Sequence, residues 1–94
     1  MTWNPLAWDD KDTADVADYQ INWATFLGAD TISTSVWTVP AGSGLVVDSS
    51  SNTTTTATVW LSGGTAGVHA IANKIATAGG RTYERSVSLT VGEL

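Results

Sequence analysis

The sequence predicts an all-β fold: an immunoglobulin-like sandwich of two antiparallel sheets, about six to seven strands, behind an extended N-terminal arm. Three observations predict it. Thr, Ser, Val and Trp are abundant, while the Ala-, Leu-, Glu- and Lys-rich stretches that build helices are missing. Apolar and polar residues alternate in short runs, the period of a half-buried strand. Gly, Pro, Ser and Asn separate those runs at the spacing of sandwich turns.

Residues 1–17 read as the arm and 18–94 as the sandwich. Within the arm, Trp3, Leu6 and Trp8 are unevenly spaced around Pro5, a pattern with no regular face. The first strand is Asp18–Trp23, with Tyr19, Ile21 and Trp23 on one face. Phe26 and Leu27 follow, then a turn at Gly28-Ala29-Asp30. The second strand spans about Thr31–Val39 and stops at Pro40, which has no N–H to give a ladder. After the loop Ala41–Gly44 comes a short strand, Leu45–Asp48, and a polar turn over Ser49–Thr53. In Thr54–Leu61, Ala57, Val59 and Leu61 share a face and Trp60 falls on the other. Ser62-Gly63-Gly64 breaks the chain. Val68–Thr77 places His69, Ile71, Asn73 and Ile75 together. Ala78-Gly79-Gly80 turns the hairpin, and Thr82–Val91 returns with Tyr83, Val87, Leu89 and Val91 in register.

Composition bounds the function. A chain of 94 residues is one domain with a modest core. It contains no cysteine, so disulfides and Cys-based zinc sites are excluded. Five tryptophans must then supply the core, or bury against partners. The start MTWNPLAWDDKD lacks the basic residues and apolar run of a signal peptide, and no stretch approaches the roughly 20 apolar residues that span a bilayer. Assembly in the cytoplasm, without a membrane, is the expectation. Net charge is −5 with four basic residues that form no run, which argues against nucleic acid.

The succession DYQINW (18–23), SVWTVP (35–40), TATVWLSGGTAG (56–67) and TAGGRTYERSVSLTV (77–91) resembles small phage proteins described as fibre-tail adaptors. The resemblance runs from about Asp12 onward, and its most specific parts are the DY…W start, VWLSGGTAG and the TAGGRT…RS hairpin. The chain departs from it at Asn22, where an acidic residue is expected, at His69, where an aromatic is expected, and after Asp12, where a proline is expected. The resemblance implies an immunoglobulin-like virion component in several copies, linking tail or neck machinery to fibres or spikes.

No catalytic constellation emerges. His69 is the lone histidine, without a cysteine or a Gly-x-Ser-x-Gly serine to activate, so a packed strand residue is the stronger reading. The acidic run Asp9, Asp10, Asp12, Asp15, Asp18 misses the EF-hand pattern, because Ala14 breaks the alternation and Ile21 occupies the closing position. Glu84 and Glu93 are scattered for a glycosidase pair. The pairs Gly63-Gly64 and Gly79-Gly80 lack the Lys-Ser/Thr of a phosphate loop. No enzyme, cofactor or metal is expected.

Interface candidates remain. Trp23 and Trp37 belong to the core by parity, whereas Trp60 points outward as an anchor for a partner. Trp3 and Trp8 should bury against this domain or a neighbour. Arg81 and Arg85 flank Tyr83 near the last turn, to dock an acidic partner or pair with Asp15 or Asp18. Parity puts Arg85 on the Val87 side, its stem over the core end. The expected function is a structural adaptor in a phage particle. A glycan-binding module built on exposed Trp, or a capsid decoration protein, stands as the alternative.

Overall fold

The computed structural model describes residues 7–93. Seven strands and one helical turn follow in the order β1 (Lys11–Asp12), β2 (Ala17–Asn22), α1 (Ala24–Leu27), β3 (Ile32–Thr38), β4 (Leu45–Asn52), β5 (Thr56–Gly63), β6 (Gly67–Thr77) and β7 (Thr82–Gly92). One sheet has the order β1-β7-β6-β3 and the other β2-β5-β4. Apart from β1, this is the immunoglobulin-type division, in which the second, fourth and fifth sandwich strands oppose the third, sixth and seventh. No helix among the described residues is long and apolar enough to cross a membrane.

Alternation explains the core. Ile21 of β2, Ala57, Val59 and Leu61 of β5, Ile71 and Ile75 of β6, and Val87, Leu89 and Val91 of β7 are all buried, spaced by two residues along β5 and β7 and by four along β6, where Asn73 stands between. Trp23 and Trp37 join them, as expected. Trp23 is fully buried and its indole Nε1–H donates to Asn73 Oδ1 at 3.0 Å. Asn73 is itself fully buried and gives its amide to Ser35 Oγ at 2.8 Å and the Val36 carbonyl at 3.2 Å. A polar side chain in the middle of an apolar sheet face is therefore satisfied on both ends.

Several boundaries differ from the sequence reading. The polar run expected as a turn over Ser49–Thr53 continues β4 to Asn52, paired with β5 through a bulge between Val47 and Ser49. An edge strand exposed on its outer side needs no apolar alternation, because the ladder bonds hold it. Thr53 then makes the turn: its hydroxyl accepts from the amides of Thr55 and Thr56 at 3.2 and 3.0 Å. Phe26 and Leu27 fall in a single helical turn, opened by Asn22 Oδ1 accepting from the Ala24 amide at 2.9 Å.

The described part of the segment expected as an arm, residues 7–17, is bonded into the sandwich, and the boundary drawn after residue 17 falls inside β2. Ala7 bridges to Ser88, and β1 runs parallel to β7 with Lys11 opposite Val91 and Asp12 opposite Gly92. Two side chains lock this strip. The Trp8 indole stacks on Tyr19 at 5.0 Å, lies 5.8 Å from Trp37, and donates to the Gln20 carbonyl at 3.0 Å. Lys11 is fully buried, and its ammonium donates to the carbonyls of Gly63 at 2.6 Å and Asp12 at 2.9 Å. The strip thus closes the gap between β7 and β2, tying the two sheets together at their shared edge.

Glycine is required at position 63, where β5 meets the start of β4. Its φ is +70°, and a Cβ there would lie 2.7 Å from the Gly44 carbonyl oxygen. The same loop is pinned by the Gly64 amide on Gly44 O at 3.1 Å and the Thr65 amide on Ser43 O at 2.8 Å.

Candidate interface surfaces

The residues expected at an interface fall in three places. Trp3 lies outside the described residues. Trp8 is half-buried between the sheets, as described above, so its indole serves the domain's own edge. The remaining four divide between the outer face of β2-β5-β4 and the end that carries the β6–β7 turn.

At that end, the chain folds four aromatic or cationic groups together. Tyr83 stacks on Trp23 with centroids 6.4 Å apart and meets the edge of Phe26 at 4.6 Å. Phe26 also meets Trp23 edge-on at 5.7 Å. The Arg85 guanidinium sits 4.7 Å from the Phe26 ring centroid, and its Nη1 donates to the Glu84 carbonyl at 2.7 Å. The inward parity of Arg85 places its stem along the core end. Phe26, which the sequence reading placed between the first strand and its turn without a role, is the hub of this cluster; its only sequence signal was an aromatic just after a Trp-terminated strand.

Arg81 pairs with Asp30 at 3.1 Å. The alternatives weighed for it, Asp15 and Asp18, lie where β2 begins, at the opposite end from the β6–β7 turn. Asp30 is the organising group of the turn. The Thr77 hydroxyl, the Thr31 and Gly79 amides and Arg81 hold its carboxyl at about 2, against an ordinary 3.8. Both amides bond Oδ1 at 2.9 Å. The Ala78 amide gives its hydrogen to the Thr31 carbonyl at 2.9 Å, fixing the hairpin against the start of β3.

The outer face of β2-β5-β4 is different in kind. Trp60 stands on the middle strand and is 43% exposed. Its cross-strand partners are Asp18 on β2 and Ser49 on β4. Gln20 faces Thr58, and Asn22 faces Thr56, on the same side. The bulge in β4 brings the Asp48 carboxylate onto the Ser62 hydroxyl, which donates to it at 3.1 Å. A large ring is therefore set among carboxylates, amides and hydroxyls, with the exposed Val46 nearby, opposite Ser62. The neighbouring Tyr19 phenol is pushed up from its usual 10.0, first by burial and then by the charges of Asp15, Asp18 and Asp9.

The sequence reading did not single out the outer face of β1-β7-β6-β3. Val68 is 69% and Val36 58% exposed there, with Ala70 and Ala72 between them and Ala76 beyond Lys74 on the outward parity of β6. Lys74 faces Glu84 and Val36 across the ladder. A hollow on this face is lined by Thr34, Val36, Lys74, Ile75, Ala76 and Thr82. Its signal in the sequence was the run of small residues at even positions of Val68–Thr77, which reads equally as a weakly polar strand face.

His69 continues the inward face of β6 and its Nε2 lies 2.8 Å from the Thr65 carbonyl, an end-of-strand hydrogen bond. In the acidic run, the Asp12 amide donates to Asp15 Oδ2 at 3.0 Å and the Ala14 amide to Asp12 Oδ2 at 3.3 Å, a local turn.

None of the curated proteins matches the chain. Among solved structures, the chain is similar to the solution structure of the PKD domain from KIAA 1837 protein, with 18% identity and a TM-score of 0.54 over 99% of this chain and 92% of that one. That likeness carries the immunoglobulin-like sandwich and nothing more. The family described as podophage GP4 fiber-tail adaptor protein gp77 matches residues 11–90, from the buried lysine of β1 into β7. The chain belongs to that family, and is a phage structural adaptor.

Proposed function

We propose that this protein joins tail or neck proteins to fibres or spikes in the phage particle, through protein–protein contacts and without catalysis. The family match over residues 11–90 carries the reading. The physical arrangement supports it: a sandwich whose edge is tied shut by Trp8 and Lys11 is a rigid block, and rigid blocks transmit position between partners. Its exposed groups lie on broad sheet faces and one aromatic end, the shapes that protein contacts use. Several copies in a symmetric assembly, put together in the host cytoplasm, complete the proposal.

The glycan-binding reading draws on one observation, the setting of Trp60 beside Asp18, Gln20 and Thr58. An affinity pull-down of the tagged full-length protein from phage-infected cells separates the readings. Tail, neck or fibre proteins in the eluate are the expected result. Capsid protein alone would make this a decoration protein, and absence of any phage protein would leave the glycan module as the better account.

A further inference from the structure

We propose that the outer face of β2-β5-β4 is a receptor for a cationic side chain, an arginine or lysine presented by the protein partner, which stacks on Trp60 between Asp18 and Asp48. The proposal rests on the adaptor reading for the identity of the partner, and on the following geometry for its chemistry.

Trp60 is the large exposed ring of the sheet and stands on its middle strand, so a ligand on it is reached by groups from both flanks. On one flank Asp18 is directly opposite, at the cross-strand spacing of about 4.5–5.5 Å between Cβ atoms. On the other flank the β4 ladder shifts between Val47 and Ser49, which makes Asp48 the extra residue and turns its carboxylate to Ser62, two positions from Trp60 on the same side. The indole face attracts cations through its quadrupole, and carboxylates on either side give charge-assisted acceptors to the same group.

Charge complementarity selects this occupant. The strands of this sheet, ADYQIN, LVVDSSSN and TATVWLSG, contain no lysine or arginine. All four basic residues lie elsewhere in the chain: Lys11 is buried, Lys74 faces Glu84, Arg81 bonds Asp30, and Arg85 sits on Phe26. No basic residue of the sheet's own strands therefore stands at Trp60 to occupy it. A neutral sugar could stack on the ring and donate hydroxyls to the carboxylates, but it brings no charge to offset theirs, and an acidic glycan would be repelled. An apolar partner surface could cover Trp60 and the exposed Val46 opposite Ser62, but it would have to strip water from both charges without replacing it.

The test uses the full chain, labelled with nitrogen-15, and three probes: an acetylated, amidated Gly-Ser-Arg-Gly-Ser peptide, the same peptide with citrulline for arginine, and maltohexaose. The arginine peptide should move the Trp60 indole resonance and the Asp18 and Ser49 amides with millimolar affinity. The other two probes should leave them in place. Asp18→Asn with Asp48→Asn should weaken binding about tenfold, the factor two exposed charged contacts supply. Equal shifts with citrulline or maltohexaose, an unchanged affinity in the double variant, or no shift up to about 50 mM arginine peptide, the weak end of any specific contact, would each overturn the proposal.

A parallel capture from phage-infected cells compares wild type, Trp60→Ala and the double variant, each checked for folding by circular dichroism. Tail or fibre proteins held by wild type and lost from both variants support the site. Equal capture by all three overturns it while the adaptor reading stands. No capture by wild type overturns the adaptor reading, and the peptide titration then decides the cation site by itself.

Discussion

Replacing Asn73 by leucine keeps the side-chain volume and removes three hydrogen bonds at once. Asn73 accepts from the Trp23 indole at 3.0 Å and donates to Ser35 Oγ at 2.8 Å and Val36 O at 3.2 Å. Ser35 is half-buried and can turn to water, but the Trp23 N–H is fully enclosed and loses the acceptor that Asn73 supplies. An orphaned buried donor costs about 1–3 kcal/mol, and the Val36 carbonyl loses a donor besides, so the expected loss is about 2–4 kcal/mol. A domain of this length has about 5–14 kcal/mol in total. At roughly 4–8 °C per kcal/mol, the melting temperature should fall by about 8–32 °C. Thermal unfolding by circular dichroism, supported by urea titration, reads this directly. The diagnostic is the double variant with Trp23→Phe, which removes the orphaned N–H. The two substitutions together should cost at least about 1 kcal/mol less than their sum. Strict additivity, or an Asn73→Leu variant within about 0.5 kcal/mol of wild type, would refute the claim that this pair is a satisfied buried network.

Other outcomes follow from the same structure. Trp8→Ala should cost about 2–3 kcal/mol by chemical denaturation, because the ring bridges Tyr19, Trp37 and the Gln20 carbonyl; an unchanged midpoint would mean the strip contributes nothing to the fold. Gly63→Ala should cost about 2–4 kcal/mol, since it adds a positive-φ penalty to a 2.7 Å clash with Gly44 O, whereas Gly80→Ala, with open space around it, should cost less. Asp30 holds its proton less tightly when folded, at about 2 against 3.8, so its contribution is complete above about pH 4 and disappears as the pH falls through about 2. The melting-temperature gap between wild type and Asp30→Asn should accordingly be widest near neutrality and close in acid; a gap that stays constant down to about pH 2 would contradict the assignment.

The sandwich strands were readable because each one alternates. Tyr19, Ile21 and Trp23, or Val87, Leu89 and Val91, announce a buried face by their period alone. Parity also sent Trp60 outward, where the structure places it. What parity cannot carry is a partner across the sheets: Asn73 was assigned to the inner face with Ile71 and Ile75, yet nothing in its neighbours named Trp23. Strand β1 was invisible for a related reason. Two residues in parallel pairing make no period, and Lys11 reads as a surface charge until Gly63, 52 positions away, supplies the carbonyl that buries it. The second half of β4 has the composition of a turn, because an exposed edge is held by backbone bonds that side chains do not advertise. The cation-receptive face needed both a register and a bulge, and a bulge is a property of the pair of strands rather than of either one.

The place of β7 in its sheet has a bearing on how the particle's parts are made. It is the last strand of the domain to leave the ribosome, yet it lies inside the sheet, between β1 and β6. Until it emerges, β6 has an open flank and the strip from Ala7 to Asp12 has no strand to follow. Closure joins segments about 80 residues apart, which makes the fold rich in distant pairings and slow to nucleate. The consequence is a checkpoint in time: a truncated or nascent chain cannot complete the sheet bearing Val36 and Val68, and with it lacks the groups of Tyr83 and Arg85. Only a finished chain can present both the completed sheet and the aromatic end.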